Sequence, residues 1–354
     1  MTDNASKLAV VTGGTGLLGS HIAEALRRQG YPVRALARSG SDASFLRRIG
    51  AEVVSGDLSD AGALARLCDG ADAVYHAAAR VGDWGPWSEF VEFSIEGTRR
   101  LIDAAAQARV RRFLHISSIS VYGHLDGEGR VFDEREPLGQ NLYRWSYYSR
   151  AKVEAEKLAW EAHRAGRVAL TVIRPSWMYG ERDRATLPRL MDSIRRGKLR
   201  LIGDGENRLN LTNAANVGEA AVLAANHERA VGEAYNCCHD GVLTQKTFFN
   251  AVAAAMGAPA ITRRVPYAVA RRLAFALECA GHLLGRKNPP LITRYSVWLM
   301  GRRCFFECRK LKEQLGWSSR IGYAEGVPAA VREQLGRAGD RGTAAPSGRV
   351  GAAA

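Results

Sequence analysis

The segment Thr12–Gly19 reads TGGTGLLG and joins the apolar run Leu8–Thr12 to a helical pattern that ends at Gln29. Glycines in such a segment let the chain turn tightly, let a pyrophosphate approach the backbone and let the helix pack against the strand. The free N–H groups and the positive dipole end of the helix then attract phosphate. Because this is the first strand–turn–helix unit of the chain, it predicts a dinucleotide site. The predicted contacts are Gly13, Gly16, Leu17, Leu18 and Gly19.

On the C-terminal side of this turn, short apolar runs alternate with stretches of good helix formers. The apolar runs are Leu8–Thr12, Val33–Ala37, Ala51–Ser55, Ala73–His76, Phe113–Ser117 and Ala169–Ile173. Helical patterns occur at Glu96–Ala108, Ala151–Arg164, Leu187–Arg196, Asn216–Asn226 and Tyr267–Leu284. Near-continuous apolar strands separated by helices are typical of a parallel sheet covered on both faces. The pattern predicts an α/β fold with a Rossmann-type doubly wound parallel sheet.

After Pro175 the alternation weakens, and tryptophan, proline, glycine and basic residues become mixed. We therefore predict a dinucleotide-binding domain over 1–175, with 210–238 returning to it. A smaller, mostly helical substrate-binding lobe is predicted over 176–209 and 239–335. The last residues, 336–354, are rich in Gly, Ala, Arg and Ser without periodicity, which predicts a disordered tail.

Charge and cysteine content argue against several classes of protein. The net charge is +14, but the arginines occur as scattered pairs such as Arg27–Arg28, so no nucleic-acid partner is predicted. The six cysteines match neither a disulfide framework nor a zinc spacing with histidines, so no metal is predicted. A signal-peptide pattern and a membrane-spanning apolar stretch are both lacking, which predicts a cytoplasmic protein.

The end of the second strand bears on the type of dinucleotide. An acid there binds the ribose 2′-hydroxyl of NAD, whereas an arginine accommodates the 2′-phosphate of NADP. The sequence has Arg38 at this point and no acid before Asp42. Arg38 therefore favours NADP(H) as the coenzyme. NAD(H) stays open, because Arg38 is alternatively an ordinary surface arginine without a role in binding. Asp57 and Leu58 follow the third strand, where Asp57 either binds the adenine amino group or caps the next helix.

Tyr148 and Lys152 lie at positions i and i+4 at the start of a helical stretch, so they share one helix face. A lysine ammonium near a phenol favours the phenolate and is expected to lower the pKa of Tyr148. The fifth strand ends in Ser117, Ser118 and Ser120. Any of these hydroxyls is a candidate to hold a substrate oxygen, because ligands of open α/β sheets bind at the carboxyl ends of strands.

Several motifs occur in one order along the chain. They are TGGTGLLG at 12–19, SSISVYG at 117–123, YSRAK at 148–152, RPSWMYG at 174–180 and GDGEN at 203–207. This combination resembles the extended short-chain dehydrogenase/reductase family, within the NAD-dependent epimerase/dehydratase superfamily. The resemblance extends over about residues 8 to 335.

The resemblance implies roles for individual residues. Ser118 holds the substrate oxygen, Tyr148 is the acid/base, and Lys152 binds the nicotinamide ribose and tunes Tyr148. Further coenzyme contacts are implied for His76, Ala77, Ala78 and Pro175. One departure concerns Ser94, since the family usually has an asparagine there that helps to fix the active-site helix and a water chain.

Looser similarities, at Val81–Gly85 and Pro289–Arg294, point to the 3β-hydroxysteroid dehydrogenase branch, which includes 2-alkyl-3-oxoalkanoate reductases and sterol-4α-carboxylate 3-dehydrogenases. That branch implies an NAD(P)-dependent oxidoreductase that interconverts a secondary alcohol and a ketone on a small apolar or lipid-like substrate. Aromatic side chains are candidates for the pocket, with core packing as the alternative for each. They are Trp84, Trp87, Phe90, Trp177, Tyr295 and Trp298.

Two other functions stay open. A nucleotide-sugar epimerase or dehydratase uses the same scaffold but often carries an acid after the second strand, where this chain has Arg38. A non-catalytic NADP-binding protein commonly lacks the tyrosine or the lysine, and this chain keeps both.

Two interactions with partners are also predicted. The apolar and basic segment 267–284 either contacts a membrane surface peripherally or faces the protein interior. Family resemblance further implies a homodimer through a helix pair at Glu96–Ala108 and Tyr148–Arg164.

Overall fold

Seven parallel strands form the central sheet of the protein, which the computed structural model describes over residues 4–343. In that range the strands β1–β13 are Ala9–Thr12, Val33–Ala37, Glu52–Ser55, Ala73–His76, Arg112–Ile116, Val131–Phe132, Leu170–Pro175, Trp177–Tyr179, Leu201–Ile202, Leu211–Asn213, Glu233–Cys237, Arg264–Val265 and Phe305–Phe306. The order across the sheet is β11-β7-β5-β4-β1-β2-β3. The strand order reverses at β1, with β2 and β3 on one side of it and β4 on the other, and such a switch point leaves a crevice at the carboxyl ends of the strands.

The helices cover both faces of this sheet. In the described range α1–α13 are Leu17–Arg28, Ser44–Arg48, Ala61–Cys68, Trp87–Phe90, Gly97–Gln107, Tyr147–Arg164, Thr186–Arg195, Ala214–Ala225, Gln245–Ala255, Tyr267–Leu283, Arg294–Gly301, Arg309–Leu315 and Tyr323–Thr343. One apolar cluster joins α1, α2, α8 and α12 to the sheet, and a second joins α3, α5 and α6. The predicted doubly wound Rossmann-type sheet is confirmed.

Apolar strands lie at the middle of the sheet because helices exclude water from both of its faces. All four residues of β1, Ala9–Thr12, are buried. Their neighbours are in parallel register, with Thr12 opposite His76 of β4 and His76 opposite His115 of β5. This register aligns the carboxyl ends of β1, β4 and β5 at one edge.

The C-terminal part is mostly helical, with an apolar cluster that includes side chains of α7, α9 and α13. Two short parallel pairs, β8 with β10 and β9 with β12, join its segments. Strand β11 returns to the edge of the main sheet and helix α8 packs against α1.

Two features differ from the sequence prediction. The predicted tail begins at 336, but α13 continues to Thr343, because the helix packs its apolar side chains Val327, Ala330 and Val331 into the lobe. Residues 344–354 of that predicted tail lie outside the described residues. Helix α5 is preceded by a π-helical turn, Val91–Glu96, which periodicity did not predict.

Candidate active site

The glycine turn after β1 is built on close backbone contacts. Gly13 has φ +70°, and a Cβ there would lie 2.8 Å from the amide nitrogen of Ala78. A Cβ on Gly19 would lie 2.2 Å from the carbonyl oxygen of Gly13. Gly16 is the N-cap residue of α1, and the first turn of that helix, Leu17–Ser20, has uncharged side chains. These glycines therefore leave open a helix N-terminus that fits the pyrophosphate of a dinucleotide.

The ends of β2 and β3 bring Arg38 beside Asp57. A hydrogen bond from the Ser59 hydroxyl is the main cause that lowers the pKa of Asp57. The positive charge of Arg38, which is exposed, adds to this effect. The Asp57 carboxylate also accepts the Ser59 amide at 2.8 Å. The side chain that caps α3 is Asp60, so the capping alternative for Asp57 is wrong. Leu58 is buried next to Gly97.

The end of β4 borders the same turn. The His76 ring bonds to the hydroxyls of Thr12 and Thr98, each at 2.8 Å, and burial lowers its pKa well below the usual value. His76 is therefore a neutral group that ties β4 to β1 and α5. The backbone of Ala77 and Ala78 faces Gly13, whereas the His76 side chain is fully occupied within the core.

Ser118, Tyr148 and Lys152 come together where β5 ends against the start of α6. The Lys152 ammonium donates a hydrogen bond of 2.7 Å to the carbonyl oxygen of Ile116, the last residue of β5. Burial lowers the pKa of Lys152 to about 8. Burial also raises the pKa of Tyr148, and a hydrogen bond with the Ser118 hydroxyl opposes that rise.

The expected lowering of the pKa of Tyr148 is thus wrong for this structure, because desolvation disfavours the phenolate more than its neighbours favour it. Tyr148 is therefore a neutral phenol that carries its proton.

The three serines after β5 point in different directions. The Ser117 hydroxyl donates to Glu156 at 2.5 Å, so it belongs to the core. The Ser118 oxygen accepts the Ser120 amide at 3.2 Å and lies beside Tyr148. The Ser120 hydroxyl is buried near Tyr295 and has no hydrogen-bond partner among residues 4–343. Of the three alternatives, the structure brings Ser118 to Tyr148.

Glu156 and Arg174 form a buried ion pair directly behind this site, which the sequence analysis missed. Glu156 is 0% exposed and accepts hydrogen bonds from Arg174 at 2.5 to 3.2 Å, from Ser117 and from Trp160. The Arg174 guanidinium also donates to the Tyr122 hydroxyl at 2.7 Å. The available signal was the i, i+4 spacing of Glu156 from Lys152 on α6.

Ser94 lies in the π-helical turn and is buried. Its hydroxyl accepts the Arg80 amide at 3.0 Å, and its carbonyl accepts the Thr98 hydroxyl at 2.6 Å. The serine thus anchors the chain after β4 to the start of α5. Pro175 ends β7 opposite Cys237 of β11, at the same carboxyl edge of the sheet.

Aromatic side chains cover Tyr148 from the C-terminal part. The Tyr295 ring on α11 meets Tyr148 edge-on, with centroids 6.0 Å apart. Thr293, the residue before α11, donates a hydrogen bond to Asp83 in the loop after β4. A small cavity lies here between the loop, α10 and α11. Its lining residues are Asp83, Tyr143, Trp145, Ser146, Glu278, Arg294 and Tyr295.

The other predicted aromatic residues lie in three places. Trp87 and Phe90 approach Tyr147, the neighbour of Tyr148, with centroids 5.5 and 6.0 Å from its ring. Trp177 packs on Phe248 in the C-terminal core, and Trp298 is 1% exposed. Trp84 is buried against His282 of α10.

Within residues 4–343 no group of three or more His, Cys, Asp or Glu side chains could hold a metal ion. Over the same range, none of the helices is both long and apolar enough to pass through a membrane.

A sequence profile of the NAD dependent epimerase/dehydratase family matches residues 9–238. The chain belongs to this family. A 4-hydroxy-2-methyl-3-oxo-4-farnesyl-3,4-dihydroquinoline-1-oxide ketoreductase from Stigmatella aurantiaca is 31% identical over 331 residues, covering 93% of this chain and 96% of that protein. A 2-alkyl-3-oxoalkanoate reductase from Shewanella oneidensis is 28% identical, covering 90% and 84%. Mouse sterol-4-alpha-carboxylate 3-dehydrogenase is also 28% identical, covering 92% and 91%.

Solved structures agree with the fold. The crystal structure of gox2253 superposes with a TM-score of 0.78 at 26% identity, covering 94% of this chain and 98% of that one. The dTDP-glucose 4,6-dehydratase DesIV from Streptomyces venezuelae shares the fold, with a TM-score of 0.74, at 24% identity over 94% of this chain and 98% of its own. The predicted family is confirmed, and so is the broad class of a nicotinamide-dependent oxidoreductase.

Proposed function

We propose that this enzyme interconverts a ketone and a secondary alcohol on an apolar, 3-oxo or 3-hydroxy substrate, with Ser118, Tyr148 and Lys152 at the reacting oxygen. The observation that carries the proposal is the meeting of these three side chains at the end of β5, at the sheet edge that holds the glycine turn. The names of the similar ketoreductase, 3-oxoalkanoate reductase and sterol dehydrogenase support it.

In the direction of reduction, this chain supplies binding and a proton. The Ser118 hydroxyl donates a hydrogen bond to the carbonyl oxygen, and Tyr148, whose pKa is raised, transfers its proton to the same oxygen. The nearby Lys152 ammonium stabilises the phenolate that remains. When bound, a nicotinamide coenzyme supplies the hydride. Oxidation reverses these steps.

NADP(H) is the coenzyme favoured by this proposal. Arg38 is exposed at the end of β2, where it can meet a 2′-phosphate. Asp57 beside it is available to the adenosine half. NAD(H) is the alternative.

The substrate-binding lobe, 176–209 and 239–335, provides an apolar wall. Tyr295 contacts Tyr148 and Trp145 lines the adjoining cavity. Such a wall favours a hydrocarbon-rich ketone over a nucleotide-sugar. A cytoplasmic homodimer through α5 and α6 belongs to the same proposal, and light scattering in solution tests its stoichiometry.

The test begins with fluorescence titrations of NADPH and NADH. Apolar 3-oxo acids, 3-oxo steroids and UDP-sugars are then added, and coenzyme absorbance is followed. We expect preferential NADPH binding and oxidation of NADPH by an apolar ketone. Tyr148→Phe should bind coenzyme normally and lose about 10²- to 10⁴-fold in turnover. Tight NAD with conversion of a UDP-sugar, or full activity of Tyr148→Phe, would refute the proposal.

A further inference from the structure

Helix α10 leaves an apolar side exposed. Its inner side is buried, through Ala270, Ala274, Glu278 and Gly281. Turned away from these, Val269, Leu273 and Leu283 are 49%, 50% and 87% exposed. At 100° per residue these three side chains lie within one sector of the helix, opposite the buried stripe. A helix packed on a protein normally has polar residues on this side.

The exposed apolar surface continues past the end of α10. Leu284 and Leu291 are 68% and 81% exposed. The loop after β4 reaches this end, because Trp84 donates a hydrogen bond to the carbonyl oxygen of Arg286 and stacks on His282. That loop adds Val81, 68% exposed. We call this surface the α10 face: Val81, Val269, Leu273, Leu283, Leu284 and Leu291.

Basic residues accompany the α10 face. Arg271, Arg272, Arg286 and Lys287 are exposed. The single acid of residues 267–293 is Glu278, which is buried and paired with Arg294 at 2.6 Å. The surface thus combines exposed aliphatic side chains with uncompensated positive charge.

We propose that the α10 face binds peripherally to the surface of a bilayer containing anionic lipid. The aliphatic side chains enter the boundary between headgroups and acyl chains, and the basic residues attract the anionic headgroups. Charge complementarity distinguishes this partner from a second copy of the chain, whose identical face carries the same positive charge and would repel it.

Aromatic side chains also connect α10 to the surroundings of Tyr148. Phe275 of α10 is 47% exposed and stacks near Trp145, with centroids 6.4 Å apart. Trp145 lines the small cavity together with Tyr295, which contacts Tyr148. We infer that an apolar ketone enters the site from the bilayer alongside α10. This step alone rests on the proposed function.

The test uses the full-length protein and sedimentation with vesicles of phosphatidylcholine alone or mixed with phosphatidylglycerol. The wild type should sediment with the anionic vesicles, less so at high salt. The double variant Leu273→Glu/Leu283→Glu should bind them at least about tenfold more weakly. The matched control is Val131→Glu/Val242→Glu, at positions 56% and 69% exposed elsewhere on the protein, and it should bind like the wild type.

Three results would overturn the proposal. They are wild-type protein that stays in solution with anionic vesicles, an equal loss in the control variant, and a dimer in light scattering that only the α10 variant disrupts. Coenzyme-dependent reduction of a soluble ketone, measured without vesicles, should be equal in all variants. Failure of that reaction in the wild type refutes the proposed function. The membrane proposal is decided by vesicle sedimentation alone.

Discussion

Replacing Glu156 with Gln removes a negative charge from the core and leaves the shape of the side chain nearly unchanged. The carboxylate is 0% exposed, and the partner guanidinium of Arg174 is 4% exposed. Burial by itself lowers the pKa of Arg174, and the charge and hydrogen bonds of Glu156, together with Tyr122, raise it above its usual value. Arg174 still stays charged in the variant, because a guanidinium is not deprotonated in proteins. A buried cation without its counter-charge is the expected result.

Loss of one partner from a buried ion pair costs about 3–5 kcal/mol, because the remaining charge is desolvated without compensation. The unfolding entropy is about 2.1 cal/mol/K per residue, or roughly 0.7 kcal/mol/K for ~340 residues, so the Tm should fall by about 4–7 °C. The ion pair connects α6, which carries Lys152, to β7. Its removal should therefore destabilise the two elements that position the site.

Differential scanning calorimetry measures this change, and Glu154→Gln is the matched control. Glu154 lies on the same helix, pairs with Lys157 at 3.3 Å, and both side chains are about half exposed. An exposed pair contributes only about 0–1 kcal/mol, so the control should shift the Tm by less than about 2 °C. Equal shifts in the two variants would show that burial of Glu156 does not matter.

Three further changes test the coenzyme site and the lysine. Gly19→Ala places a Cβ 2.2 Å from a carbonyl oxygen of the turn, so NADPH should bind about tenfold more weakly or worse. Gly322→Ala, whose Cβ meets nothing within 4 Å, is its control, and equal titration curves would contradict the role of the turn. Ketone reduction should fall as pH rises through about 8, where the Lys152 ammonium loses its proton. A rate that stays level there would mean that the ammonium is not required. Arg38→Ser should reduce the NADPH:NADH ratio of kcat/KM by about 10- to 150-fold, because a charge-assisted hydrogen bond worth about 1.5–3 kcal/mol is lost. The exposed Arg164→Ser, which tests for a general charge effect, should leave that ratio unchanged.

The local pattern predicted most of the sheet. The strands Val33–Ala37 and Ala73–His76 have the predicted bounds, because a buried parallel strand is an uninterrupted apolar run between polar turns. The end of the last helix was misplaced, since Gly and Ala in 336–343 gave no periodic signal and the packing of earlier residues supports that helix. The π-helical turn Val91–Glu96 has no sequence signature of this kind.

What the sequence determined by itself is the chemistry that depends on neighbours along the chain: the glycine turn, the Tyr148–Lys152 spacing on one helix face, and the order of strands and helices. Tertiary structure decided which serine meets Tyr148, because Ser117, Ser118 and Ser120 are equivalent until Glu156 binds the first of them. It also decided the protonation of Tyr148, since desolvation depends on what α11 places over the phenol. The pKa of a side chain depends on its burial and on nearby charges, which come from segments far apart in the chain. The distances between such segments cannot be read from a linear sequence pattern.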